Sequence, residues 1–324
     1  MADVHIGWSS GDIGSRTALY RGDIFVCEPR PSTLELCAFA RSFLVDALAP
    51  HDPRHAQEHL DVRAFVDAVA PAKPAFIHHP HTKDLLRAFL ADFGCDPFST
   101  YVDVPRMRVA PHSGYLTSGA AYQFPPHRDT WYSAPMCQVN WWLPLWDAPA
   151  AAGMAFYPDY FDRPVPNSSS EFDYYEWNAT GRRQSASHVG ADTRRQPKPT
   201  AEIDRSHEVR FDVPAGGLVV FAGAQLHASV PNATGEARFS IDFRTADADD
   251  LVAGRGVANV DSSPSGTALR DFMRCSDLSR LPDDVVARYD TGTPPPDAVL
   301  VYSPDAETAG ASGARQGSPL GRGA

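Results

Sequence analysis

The sequence predicts an α+β protein in which N-terminal helices cover an antiparallel sandwich or barrel. Helical periodicity is confined to roughly the first hundred residues. From about residue 99 the pattern changes to short alternating runs broken by Pro, Gly and Asn. The 324 residues suit one large β-rich domain or two smaller ones.

Two helices are legible. In PSTLELCAFARSFLVDAL, Ser32 and Glu35 fit a capping box behind Pro31, and the run that follows is apolar enough for a buried helix of three or four turns. Further on, Thr82 is placed to cap a helix whose Leu85, Leu86, Phe89, Leu90 and Phe93 recur at i, i+3, i+4 spacing, with Gly94 as its stop. Strands follow in YVDVPRMRV, SGAAYQF, CQVNWWLPL, GMAFYP, VRFDV, GLVVF and ARFSIDFR, with no helical pattern between most of them. Residues about 162–207 interrupt this series with polar sequence that still holds Phe172, Tyr174, Tyr175 and Trp177. Such an insert is either a lid over a site or an excursion packed on the wall. Residues 303–324 are small and polar without apolar period, and read as a disordered tail.

Composition removes several function classes. The net charge is −11 with no basic block, which argues against nucleic acid as a partner. No window approaches eighteen consecutive apolar residues, so no membrane span is expected. The first dozen residues lack a basic segment followed by an apolar stretch, making a cytoplasmic location the expectation. Five scattered cysteines without a CxxC read as reduced, mostly buried thiols.

The sharpest local feature is His127-Arg128-Asp129. On extended backbone, residues i and i+2 face the same way, so an imidazole and a carboxylate converge on one ion. A second segment, GGLVVFAGAQLHASVPNATGEARFSIDFR, runs from a buried strand to His227, through a turn at Pro231 to Gly235, and into a strand with Arg238, Ser240 and Asp242 on one face. A hairpin centred near Ala233 would set position 227 opposite about 239, with Arg238 and Ser240 beside the histidine. Two histidines and one carboxylate form the facial ligand set of non-haem Fe(II) oxygenases. An inward-pointing arginine needs an anion, and Arg238 offers a planar fork to the far carboxylate of an iron-chelating dicarboxylate, with a hydroxyl bond from Ser240.

These residues resemble the Fe(II)/2-oxoglutarate-dependent oxygenases and, within them, the phytanoyl-CoA dioxygenase-like group. The resemblance covers about residues 100–245, through HRD, CQVNWWLPLWD, GMAFYPDYF and HASVPNATGEAR. It implies a double-stranded β-helix, or jelly-roll, core at about 99–245, flanked by the helical part at about 30–95, in a single oxygenase domain over residues 1–302. It further implies His127, Asp129 and His227 as catalytic iron ligands and Arg238 as the clamp on 2-oxoglutarate. Ser229 and Ser240 compete for one co-substrate hydroxyl role. The implied cofactors are Fe(II), 2-oxoglutarate as co-substrate, and O2. A carboxylate at 129, where related halogenases have a small residue, points to hydroxylation or another oxidation such as desaturation or ring formation.

Other residues remain to be placed. Gln138 and Asn140 alternate with apolar neighbours, and either bind the 2-oxoglutarate carboxylate or substrate, or satisfy core backbone groups. Trp131 and Tyr132 sit where a pocket wall would lie, whereas Trp141 and Trp146 read as packing. Arg244 is the second candidate for the clamp, since it stands six residues, roughly 20 Å, beyond Arg238. It is alternatively a substrate anchor or an ion-pair partner of Asp242. His78, His79 and His81 read as a loop without a completing ligand. Arg128 faces away from the ligands as a salt-bridge or solvent residue. The expected partner is a small-molecule substrate, a secondary metabolite being one candidate, and the oligomeric state is open. The rival readings are a cupin-like isomerase or dioxygenase without 2-oxoglutarate, and a non-catalytic β-sandwich binding module.

Overall fold

A computed structural model describes residues 3–7, 16–181 and 187–294. The tail expected at 303–324 lies outside the described residues, as does 182–186 within the polar insert.

The chain opens with strand β1 (Val4–Ile6), a short helix α1 (Arg16–Tyr20) and strand β2 (Ile24–Cys27), and then three helices, α2 (Pro31–Leu48), α3 (Val62–His78) and α4 (Pro80–Asp92). Strands β3 (Thr100–Val102), β4 (Arg106–Ala110), β5 (Val139–Pro144) and β6 (Met154–Phe156) precede the insert. After it come β7 (Val209–Arg210), β8 (Leu218–Ala222), β9 (His227–Ser229), β10 (Arg238–Asp247) and β11 (Met273–Arg274).

These strands form two sheets. The larger runs β1-β2-β8-β5-β10-β3-β11, and β4 joins the same edge of β10 that β3 uses. β3 and β4 are one strand interrupted around Pro105, whose nitrogen has no hydrogen to give the ladder. The smaller sheet runs β7-β6-β9. The expected period of two is realised along β10. Phe239, Ile241 and Phe243 enter the core beneath α2–α4, together with Met107, Val109, Trp141 and Leu143. The opposite face carries Ser240, Asp242 and Arg244, while Trp142, Val219 and Phe221 pack across to Phe156 of the smaller sheet. Helices, large sheet and small sheet thus make three layers, and the α+β class is realised.

Several local expectations are corrected. α2 begins two residues earlier than a Ser32 cap implies: Arg30 precedes it, Pro31 opens it, and Thr33 Oγ1 accepts from the Arg30 backbone N–H at 2.9 Å. Thr82 is buried inside α4, donating to the Phe76 carbonyl at 2.7 Å, and His79 occupies the cap. The segment His78–His81 is accordingly no loop, because the two helices abut at His79. α3 itself carries Pro71 and Pro74, which hide a helix from sequence patterning, yet its Phe65, Val66, Val69 and Phe76 share one buried face. SGAAYQF contains a 3-10 turn at Gly119–Ala121 and no strand. Gly94 does end α4, at φ +76°, a conformation that favours glycine. Four of the five cysteines are buried, and all five are free thiols.

The aromatic insert packs against the C-terminal segment. Phe172, Tyr174 and Tyr175 are buried with Leu251, Leu269, Phe272 and Val285, residues beyond the stretch in which the sequence placed the core. No helix among the described residues is long and apolar enough to cross a membrane.

The seam between helices and large sheet is held by Phe89 of α4, fully buried, with its ring edge-on to Trp141 and Phe243. Phe89→Ala should cost about 3–5 kcal/mol of stability. The check is a lower urea midpoint with an unchanged denaturant slope.

Candidate metal centre

His127 and His227 are brought together by one antiparallel bridge. The His127 N–H donates to the His227 carbonyl at 2.8 Å, and the His227 N–H returns the bond at 2.9 Å. Their rings lie 4.3 Å apart. In each ring the Nδ1–H donates to a carbonyl two residues back, at Pro125 and at Gln225, both at 2.9 Å. In a neutral ring that contact fixes the tautomer and leaves Nε2 as the atom free to bind a metal. Burial first, and then the neighbouring His127, lower the His227 pKa to about 3, so this imidazole is neutral as metal ligation requires.

Asp129 completes the group. Arg128 is extended, so the alternation anticipated for HRD holds across it, although Asp129 itself opens a 3-10 turn that runs to Tyr132. Oδ1 lies 3.6 Å from His127 Nε2 and 3.8 Å from His227 Nε2. The three candidate ligand atoms lie within 4.8 Å of one another, and no other such group of His, Cys, Asp or Glu occurs among the described residues. The side chains are nearly closed to solvent, at 6%, 9% and 6% exposure for His127, Asp129 and His227.

The second carboxylate oxygen is fully engaged. Oδ2 accepts from Gln138 Nε2 at 3.0 Å, from Asn140 Nδ2 at 3.0 Å, and from Arg244 Nε at 3.2 Å. Burial alone would raise the Asp129 pKa, but the Arg244 charge, followed by the neighbouring His127 and His227, holds it well below the usual carboxylate range. Gly223 lets the chain turn close to this network: a Cβ there would meet Gln138 at 3.1 Å, and its own carbonyl accepts from the Asp129 N–H at 2.9 Å.

These contacts revise several assignments. Gln138 and Asn140 bind the carboxylate of Asp129, where a co-substrate contact was one expectation. The hairpin between 227 and 239 does not form, since β9 pairs with β6 in the small sheet while β10 pairs with β3, β4 and β5 in the large one. The Pro231–Gly235 segment therefore carries the chain from one sheet to the other. Arg238 donates through Nη1 to Ser240 Oγ at 2.8 Å and lies over the Trp142 ring at 5.5 Å, while its buried Nε has no partner. Burial lowers its pKa to about 10, offset in part by Asp242. Ser229 pairs with Phe124: its Oγ accepts from the Phe124 N–H at 3.2 Å. Trp131 is core, not wall, with Nε1 donating to Asp261 at 2.8 Å.

Sequence reasoning placed Arg244 second and missed Arg108, Asp103 and Phe124. Arg244 reaches Asp129 and also pairs with Asp242 at 3.0 Å, as one reading anticipated, and with Asp103 at 3.6 Å. Burial lowers its pKa, but Asp242, Asp129 and Asp103 together raise it further. Arg108 grips Asp242 through Nε at 2.6 Å and Nη2 at 3.2 Å, and its guanidinium sits 5.4 Å above Phe124. Phe124 stacks on His127 at 5.0 Å and Tyr132 meets the same imidazole edge-on at 5.6 Å. The alternating charges of RMR in β4 were the available signal for Arg108. The others needed the tertiary pairing.

Arg128 braces the triplet from behind. It is 1% exposed, donating to Asp261 Oδ2 at 3.0 Å and to the carbonyls of Ala224, Tyr160 and Arg163. It is the salt-bridge residue the sequence allowed. Asp261 therefore ties together the HRD segment, Trp131 and the start of the insert through the Val165 N–H.

With this geometry in view, residues 35–240 match the phytanoyl-CoA dioxygenase (PhyH) family, and the chain belongs to it. Solved structures to which the chain is similar include the non-haem monooxygenase ThoJ, at 19% identity over 67% of this chain and 69% of that one, with a TM-score of 0.33. Another is the epimerase SnoN in complex with Fe3+, alpha-ketoglutarate and a nogalamycin compound, at 15% identity, coverage of 73% and 85%, and a TM-score of 0.39. A third is AviO1 from Streptomyces viridochromogenes, at 17% identity, coverage of 74% and 97%, and a TM-score of 0.36. No curated protein matches the chain.

Arg128→Met strands Asp261 as a buried charge without its partner. The expected loss is about 3–5 kcal/mol, read as a fall in the urea midpoint. A change below about 1 kcal/mol would show that the ion pair does not brace the triplet.

Proposed function

We propose that the chain is a non-haem Fe(II)- and 2-oxoglutarate-dependent oxygenase that hydroxylates, or otherwise oxidises, a small molecule, a secondary metabolite being the first candidate. The observation that carries this reading is the donor set. Two imidazoles present Nε2 atoms with no other partner, and one carboxylate has a single uncommitted oxygen, all turned inward within a few ångströms. Such a set fits one divalent iron with further ligand positions left over. His127, Asp129 and His227 are then its ligands and the catalytic residues.

The second support is the orphaned Nε of Arg238. A buried guanidinium N–H without a partner is costly unless an anion reaches it, and the distal carboxylate of 2-oxoglutarate has the required planar geometry. Ser240, already bonded to Arg238, would orient it. Ser229, the other hydroxyl candidate, is engaged with Phe124. When bound, the iron with 2-oxoglutarate and O2 supplies the oxidising power, and the protein's part is placement and exclusion of water. Phe124 and Tyr132 close two sides of His127. Tyr132 also meets Phe172 of the insert at 5.2 Å, which supports reading residues 162–207 as a cover for the site.

The facing sheets, with Trp142, Phe156 and Phe221 between them, support a jelly-roll core at about 99–245 within one oxygenase domain over residues 1–302. Asp129 keeps a carboxylate where a halide would need room, which favours hydroxylation, or another oxidation such as desaturation or ring formation, over halogenation. Solved structures similar to this chain include an epimerase and a carbocyclase, so the reaction type is part of the test.

Anaerobic addition of Fe(II) and 2-oxoglutarate should give the weak visible charge-transfer band of their joint complex, and Asp129→Ala should abolish it. Arg238→Ala should weaken 2-oxoglutarate binding about 10- to 100-fold, the worth of a hydrogen bond to a charged group. Turnover that needs no 2-oxoglutarate would favour a cupin-type enzyme, and failure to take up metal would favour a binding module.

A further inference from the structure

Arg244 stands in an unusual place for a cation, with its Nε on the oxygen of Asp129 that faces away from the two Nε2 atoms. It is not a chance approach of a flexible side chain. Asp242 at 3.0 Å and Asp103 at 3.6 Å hold the far end of the guanidinium. The backbone N–H of Arg244 also donates to Asp103 Oδ1 at 2.8 Å, and the Asp103 N–H donates to the Arg244 carbonyl at 3.0 Å. Asp242 in turn is gripped by Arg108. The guanidinium is thus fixed at both ends before it meets Asp129.

Two consequences follow for a dication bound between the imidazoles. A carboxylate oxygen that already accepts three hydrogen bonds has little capacity left for a metal, so Asp129 is restricted to Oδ1. A positive charge against the ligand also opposes the dication, and in a buried site that opposition is large. Both effects lower metal affinity, and the first also preserves the ligand positions that a two-oxygen carboxylate would fill.

We propose that Arg244 is a positioning residue that keeps Asp129 a one-oxygen ligand, lowering metal affinity while leaving the positions that a chelating co-substrate needs. The inference rests on the reading of His127, Asp129 and His227 as metal ligands. It concerns a residue that touches neither metal nor co-substrate.

The test uses Ni(II), which stands above Fe(II) in affinity for such donors and does not oxidise in air. Calorimetric titration of the full chain should show Arg244→Met binding Ni(II) at least fivefold more tightly than the native protein. In an Asp129→Asn background the same substitution should change affinity less than twofold, because the effect runs through the carboxylate. Titration of the Ni(II)-loaded Arg244→Met protein with 2-oxoglutarate should show at least fivefold weaker binding than in the native protein. If Arg244→Met does not fold, Arg244→Met combined with Asp242→Asn removes one charge of each sign and should still tighten Ni(II) binding. Unchanged or weaker Ni(II) binding, or an equal effect in the Asp129→Asn background, overturns the proposal. A native chain that binds no Ni(II) overturns the proposed function itself, whereas native binding without tightening overturns the role of Arg244 alone.

Discussion

The site depends on the pair of backbone hydrogen bonds between His127 and His227. These residues are a hundred positions apart, and neither lies in the large sheet. β9 belongs to the small sheet, and His127 meets it only as an isolated bridge. That bridge sets both Cα positions, and the Pro125 and Gln225 carbonyls then set both rings. Everything else in the centre is arranged around where the two Nε2 atoms consequently point. Asp129 is delivered by the turn that follows, which is itself tied to Gly223, four residues before His227. The two ligand segments therefore hold one another, and the large sheet supplies the wall that Asp129 leans on.

That division explains what was legible in the sequence. His127, Asp129 and His227 could be read because their chemistry is local: an HxD on extended backbone, and a histidine after a buried strand. The facing of β10 was equally legible, since the pleat alone puts Phe239, Ile241 and Phe243 on one side and Ser240, Asp242 and Arg244 on the other. Sheet membership was not. A short turn between two extended runs suggests a hairpin, but Pro231–Gly235 crosses between sheets, and nothing within those five residues distinguishes the two outcomes. Misplacing β9 next to β10 made Arg238 appear to adjoin His227 and Arg244 appear remote. In the folded chain it is Arg244 whose side chain reaches Asp129, because β10 pairs with β5 so that Arg244 stands opposite Asn140.

The helical layer was half legible for a related reason. α4 announces itself through its apolar stripe, whereas α3 contains two prolines that local rules count as breaks. Its buried Phe65, Val66, Val69 and Phe76 pack against neighbours that are unknown until the fold is formed. β1 and β2 were missed because strands of three and four residues carry too little pattern. The C-terminal segment from residue 248 was missed because its apolar residues complete the insert's aromatic cluster rather than the sheet.

The inner face of β10 is an alternating ladder of charge: Arg238, then Asp242 beside Arg108, then Arg244 between Asp242 and Asp129. Burying so many ions is unfavourable unless each finds a partner of opposite sign. Arg108, Asp242, Arg244, Asp103 and Asp129 satisfy that condition among themselves, and Asp103 also pairs with Arg106. Arg238 does not: its Nη1 reaches only the hydroxyl of Ser240, and its Nε reaches nothing. Within one ladder the network thus separates two kinds of cation. Those paired with carboxylates are committed to shape, so that in the proposed roles Arg244 orients Asp129 without competing for a co-substrate. The one left with an orphaned donor at the end of the strand is open to an incoming anion, and this difference in pairing, more than distance along β10, favours Arg238 over Arg244 for the proposed clamp.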